Sequence, residues 1–367
     1  LSSKPVIVYL IDGLQAGGAE KSLLEITKRL SRFVPIVCVL SDSLELRQSF
    51  ENEGVKVIPL HLERSYRFPK HAKLIRDTLL GLNPAVIHSC LFHADMTLRY
   101  LDVRTPRVTG LVSNMYSSRR LRQLPLTTRI KVKMLRHWDR HTSGRINHFI
   151  SNSFVIKEAY KRILGIEDQK ITVIPRGRAI QKPAEYLERP GQYLLSVGRL
   201  IASKGYYELI QAFGQLAMEK PGLRLVILGD GPDRKRLERL TERLGLATRV
   251  DFRGTVANVN DFLHEGRLFV FPSHYEGLPG ALIEAMLARI PIVCSDIPEN
   301  KECVDESMCL FHRVGDWRDL ARQIERALTL EDWDLRTHRA FDYAAEHFEI
   351  GQVVRQYEEV YLRLLDS

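Results

Sequence analysis

The 367-residue chain lacks any apolar run approaching the length of a membrane span; its longest, such as VPIVCVL at 34–40, are strand-sized. Cysteine is scarce: Cys38, Cys90, Cys294, Cys303 and Cys309 are odd in number and show no CxxC spacing. That excludes a disulfide framework and a thiolate zinc site of the usual spacing, and suits free thiols in a reducing compartment. The first residues lack the basic, apolar and small-residue succession of a signal peptide. A cytoplasmic location is therefore expected. The chain has neither internal repeats nor low-complexity tracts, and the turn after its first apolar run reads GLQAGG from Gly13, not GxGxxG. A dinucleotide-fold assignment from that turn alone is thus unsupported.

What is present is a long alternation of strand-sized apolar runs with helical patterns, the mark of doubly wound parallel sheets. The strands are expected at 6–11, 34–40, 55–60, 85–90, 107–112, 148–153 and 171–175, and again at 193–198, 223–229, 250–254, 268–273, 290–295 and 308–312. The length suits two domains, so the fold class is α/β with two Rossmann-like sheets. Residues 175–192, rich in proline and charge, read as the linker. We divide the chain at 1–180, 181–348 and a final helix at 349–367.

Charge is unevenly divided. Residues 1–180 carry 30 Lys and Arg against 15 Asp and Glu, whereas the remainder carries 24 against 30, within a net charge of +9. The first half is thus expected to face something anionic. The excess is densest from Arg119 to Arg145, where nine cations meet only Asp139. An amphipathic helix is expected there from about Pro125. Arg119, Arg120, Arg129, Lys131, Lys133 and Arg136 form either a solvated basic face or a surface for anionic lipid or a phosphate-bearing acceptor. No nucleic-acid-binding motif accompanies it.

The most informative stretch is Val270–Asp296, VFPSHYEGLPGALIEAMLARIPIVCSD. It reads as strand, turn with Glu276, helix with Glu284, and strand. Amides at a helix N-terminus attract phosphate. Pro279, which lacks an amide hydrogen, is expected to preset helical geometry at the first turn and leaves the N–H groups of Gly280 and Ala281 as donors. A carboxylate pair beside them suits a ligand that brings both phosphate and hydroxyls.

This stretch resembles the sugar-nucleotide site of the retaining glycosyltransferases of family GT4, whose signature is two glutamates with seven residues between them. GGAEKSLLEI, VGRLIASKG at 197–205, LGDGPDRKRL at 228–237 and FRGTV at 252–256 follow in family order. The resemblance implies a GT-B architecture, two Rossmann-like domains facing across a cleft, with the last helix returning to the N-terminal domain. It implies that Glu276 holds the transferred sugar and Glu284 the ribose. It further implies that Arg199 and Lys204 neutralise the diphosphate, and that the backbone at Val256 reads the base. Gly229, Gly277 and Leu278 would edge the donor pocket.

Gly17 and Gly18 precede a helix at the end of the first strand and allow close backbone approach to a ligand, although a simple chain reversal also needs glycine. Glu20 is a candidate helix cap. Many relatives carry an HxH pair after the fourth strand; here the chain reads His88, Ser89, Cys90, so the second histidine is absent. His93, in FHAD, resembles the alternative family pattern and is preferred over His88 as the catalytic-site histidine.

The expected function is therefore transfer of a hexosyl unit, with retention, from a nucleotide-sugar, a UDP-sugar in the first instance, to a lipid-linked or growing surface-glycan acceptor. The enzyme would sit in the cytoplasm, peripheral at the inner membrane face. No cofactor or metal is expected, because Arg199, Lys204 and helix amides supply the positive field. The rivals are a nucleotide-sugar epimerase or a phosphorylase on the same architecture, and a non-catalytic module for anionic polymers.

Overall fold

The computed structural model describes residues 4–15, 17–122, 124–180 and 193–366; most of the expected linker, 181–192, lies outside the described residues. By its internal contacts the chain forms two compact units, 1–179 with 348–367, and 180–347.

All thirteen expected strands are present, most of them a residue or two shorter than the apolar runs. In the first unit they are β1 (Val6–Ile11), β2 (Val34–Val39), β3 (Lys56–Pro59), β4 (Pro84–Cys90), β5 (Arg107–Leu111), β6 (His148–Ser151) and β7 (Ile171–Val173). They form one parallel sheet in the order β3-β2-β1-β4-β5-β6-β7. The second unit holds β8 (Leu194–Val197), β9 (Leu225–Leu228), β10 (Val250–Gly254), β11 (Leu268–Phe271), β12 (Ile292–Ser295) and β13 (Leu310–His312), parallel in the order β10-β9-β8-β11-β12-β13.

Both sheets are covered on two faces, which is why their strands are apolar throughout rather than alternating with polar residues. In β1, Ile7, Tyr9 and Ile11 point into one core layer and Val8 and Leu10 into the other. The first layer is completed by the last helix, Ile350–Leu365, through Val353, Val354, Val360 and Tyr361. Buried Glu358 of that helix accepts the backbone N–H of Ser31 at 2.6 Å and of Arg32 at 2.7 Å. The chain returns to this unit at Phe348, whose carbonyl accepts from the Arg178 N–H at 2.7 Å.

Each sheet has one place where the strand order reverses: between β1 and β4 in the first unit, and between β8 and β11 in the second. Loops leaving the carboxyl ends of adjacent strands diverge there, and ligands of open α/β sheets gather at that point.

Candidate functional site

In the second unit the loops after β8 and β11 are tied together. The His274 N–H donates to the Ser203 carbonyl at 2.8 Å. Gly205, at φ 69°, lies so close to the Pro272 carbonyl that a Cβ would collide with it, so glycine is required on two counts. The His274 ring meets Glu208 at 3.1 Å. The consequence is that Lys204 Nζ lies 2.5 Å from Glu276 Oε1 and over the Phe271 ring. Arg199 lies in the same β8 loop with its side chain exposed.

The turn from Glu276 leads into the helix Gly280–Leu287. Pro279 is the residue before this helix, at φ −77° and ψ 95°, rather than its first residue. Its carbonyl takes the N–H groups of Leu282 and Ile283 at 3.1 and 3.2 Å, so the helix opens with the amides of Gly280 and Ala281, which precede the first intrahelical donor. Leu278 is buried, which limits it to backbone contacts, and Glu284 sits half-buried further along the helix.

Gly229 and Val256 border the same end of the sheet. Gly229, at φ 123°, abuts the Gly198 carbonyl and donates its N–H to Gly254 at 2.7 Å. Packing between loops therefore accounts for that glycine without any ligand. Val256 follows two residues after Gly254 and is half-buried.

In the first unit, a cavity of about 330 Å³ opens at the ends of β1, β2 and β4, a size within the range of small-ligand sites. Asp12, Glu20, Glu63, Arg64, His71 and His93 contribute to its lining. Asp12 fixes His93: its carboxylate accepts the N–H groups of His93 and Ala94 at 3.2 and 2.7 Å and lies 3.4 Å from His93 Nδ1. The ring is packed among Tyr66, Phe68 and Phe92.

His88 is placed quite differently. It is buried, stacked on Tyr357 and hydrogen-bonded through Nδ1 to the Tyr361 hydroxyl at 2.7 Å. Burial pushes its pKa down to about 3. His88 is therefore a neutral core histidine, while His93 reaches the cavity.

Gly17 precedes the helix Gly18–Thr27, and the Glu20 carboxylate folds back over it, where a Cβ would collide. Gly18 approaches the Arg176 guanidinium, which a Cβ would meet at 3.3 Å. Arg176 and Asp12 escaped the sequence reading because their neighbours are far away along the chain. Only the pairing of strands makes them local.

The basic stretch forms a short helix, Ser118–Arg122, and then Leu126–Thr142. Arg129, expected as a surface cation, is engaged elsewhere: its guanidinium donates to the Leu124 and Arg122 carbonyls at 2.8 and 2.6 Å, bracing the turn between the two helices. Arg119 and Arg120 are half-buried, and Lys131, Lys133 and Arg136 are exposed. The chain also has an Asp-x-Asp tripeptide, Asp332–Trp333–Asp334, which the metal-free expectation passed over. It stands at the start of the helix Trp333–His347, where Asp332 pairs with Arg336 at 2.9 Å and Trp333 is buried.

Two glycosyltransferase family descriptions match in succession: Glycosyltransferase Family 4 over residues 16–182 and Glycosyl transferases group 1 over 178–348. The chain belongs to this GT4-type glycosyltransferase family. The gpi3 subunit of phosphatidylinositol N-acetylglucosaminyltransferase from Schizosaccharomyces pombe is 23% identical over 96% of this chain and 80% of its own length. The lipopolysaccharide core biosynthesis glycosyltransferase LpsE of Rhizobium meliloti is 32% identical over 52% of this chain and 55% of its own. A Methanocaldococcus jannaschii glycosyltransferase that is 36% identical is matched over only 25% of its length. The fold is that of Anabaena HepE, solved with UDP and glucose, at a TM-score of 0.82 and 20% identity over 97% of this chain and 99% of that one.

Proposed function

We propose that the chain transfers a hexosyl unit from a UDP-sugar to a lipid-linked or growing surface-glycan acceptor, with retention of anomeric configuration and without a metal ion. The observation that carries this reading is the meeting of Lys204 and Glu276 at the strand-order reversal of the second sheet, beside the opening amides of the helix Gly280–Leu287. Lys204 and Arg199 would face the diphosphate and the amides of Gly280 and Ala281 a phosphate or the sugar. Glu276 would hold hexose hydroxyls and Glu284 the ribose.

In this reading the positive field that stabilises the leaving diphosphate comes from side chains and a helix terminus. Retention follows if the acceptor hydroxyl attacks from the side of the departing phosphate, which then takes the hydroxyl proton. No base on the opposite face is needed. His93, oriented by Asp12 at the cavity of the first unit, would be the catalytic-site histidine. HepE, solved with UDP and glucose, and LpsE, a lipopolysaccharide core biosynthesis glycosyltransferase, support the choice of donor and acceptor class.

A thermal-shift panel of UDP, GDP, ADP and their sugars tests the donor, since a ligand bound to the native state raises its melting temperature by mass action. Stabilisation by UDP above the others is expected. Proton NMR of the glycosidic product tests retention. Conversion of a UDP-hexose without acceptor would instead indicate an epimerase, and binding of an anionic polymer without any response to nucleotides a non-catalytic module.

A further inference from the structure

The helix Leu126–Thr142 exposes what a helix in a globular domain ordinarily buries. Its inner side is firmly held. Asp139, itself buried, pairs with buried Arg99 at 2.5 Å and accepts from the Tyr116 hydroxyl at 2.6 Å. The Arg99 guanidinium also donates to the Asp139 carbonyl at 2.8 Å, and Val132 packs against the core. With about 3.6 residues per turn, the opposite side carries Leu126, Ile130 and Met134, which are 71%, 52% and 68% exposed. Spaced by four, they form one ridge. Exposed Lys133, Arg136 and Arg140 flank it on one side and Lys131 on the other.

A ridge of three large apolar side chains among cations matches the physics of a helix lying in the plane of a lipid surface. The apolar side chains enter the boundary between headgroups and acyl chains, and the cations meet phosphates. We propose that this face seats the protein on an anionic lipid bilayer through Leu126, Ile130 and Met134, with Lys131, Lys133, Arg136 and Arg140 on the headgroups. Charge complementarity selects this occupant. Symmetric pairing with a second copy would set the same cations against each other, and a nucleic acid would leave the ridge in water. That a lipid-linked acceptor is reached in this way rests on the proposed function; the lipid contact itself does not.

The test is cosedimentation of the full chain with phosphatidylcholine vesicles with and without phosphatidylglycerol, at low and high salt. Wild type is expected to bind the anionic vesicles far more tightly than the neutral ones, most of all at low salt. Replacing Lys131, Lys133, Arg136 and Arg140 by Gln should remove the salt-sensitive part, about fivefold in partitioning per cation. Replacing Leu126, Ile130 and Met134 by Ser should weaken binding at least tenfold at either salt. A fluorophore on Ile130→Cys, whose emission should shift to the blue on anionic vesicles, gives a readout in an otherwise intact chain. UDP affinity should be unchanged in all variants, so its absence would overturn the donor reading and not the lipid contact. Wild type that ignores anionic vesicles, an unshifted fluorophore, or a dimer that the Ser variant dissolves would overturn the proposal.

Discussion

Lys204 and Glu276, 72 residues apart, form an ion pair of 2.5 Å between the loops after β8 and β11. In the proposed function a diphosphate arriving at this site would compete with Glu276 for the same ammonium. Carboxylate and phosphate would then oppose each other at Lys204, while the same carboxylate is the group proposed to hold the sugar.

The competition gives an unusual expectation for Glu276→Gln. Neutralising the carboxylate frees Lys204, so UDP should bind as tightly as to wild type or a few-fold tighter, whereas turnover should fall about a hundredfold because the sugar is misplaced. Calorimetry with UDP and a steady-state rate assay separate the two. UDP binding that weakens in parallel with turnover would show that Glu276 does not compete for Lys204.

Glu284 should behave in the opposite way. If it holds the ribose, Glu284→Ala removes hydrogen bonds to a charged group worth about 1.5–3 kcal/mol, and UDP affinity should drop by between about ten- and a hundredfold. Unchanged affinity in the same calorimetric experiment would remove Glu284 from the donor site.

A field built from Lys204, Arg199 and helix amides implies a further expectation. Protein dialysed against EDTA and assayed without added metal should retain most of its rate. A collapse that magnesium or manganese restores would replace the scheme with a metal-assisted one.

How much of this was legible in the sequence depended on whether the cause was local. The strands were legible because burial on both faces makes each a continuous apolar run, as in VIVYLI of β1. The glutamates were legible because turn and helix lie within one short segment. Asp12 was not, since its hold on the His93 helix depends on β1 pairing with β4. Arg129 was read as a surface cation because no periodicity tells whether a guanidinium points to solvent or back to the Arg122 and Leu124 carbonyls. The apolar ridge was hidden for a related reason. The helix carries two apolar stripes, and Val132, Leu135 and Trp138 take the half-buried side, which leaves Leu126, Ile130 and Met134 outside.

The last prediction concerns acid stability and rests on the triad of Tyr9, Tyr361 and His88. Tyr361 bonds to the Tyr9 hydroxyl at 2.9 Å and to His88 at 2.7 Å, tying the final helix to β1 and β4. Burial lowers the His88 pKa to about 3, while the unfolded chain has the ordinary value of about 6.5. Between these values the unfolded state binds the extra proton. The stabilisation is therefore complete above pH ~6.5 and is lost progressively as pH falls toward ~3, at up to about 1.4 kcal/mol per pH unit. His148 and His71 in the same unit are shifted in the same direction by burial, so wild type has a steeper slope than one histidine gives. Urea melts from pH 7 to 4 should show His88→Gln less stable than wild type at pH 7, from the altered packing and hydrogen bonding, but with a shallower decline on acidification. Parallel declines in the two proteins would mean that His88 is protonated in the folded chain as readily as in the unfolded one, and that its burial has no part in the acid response.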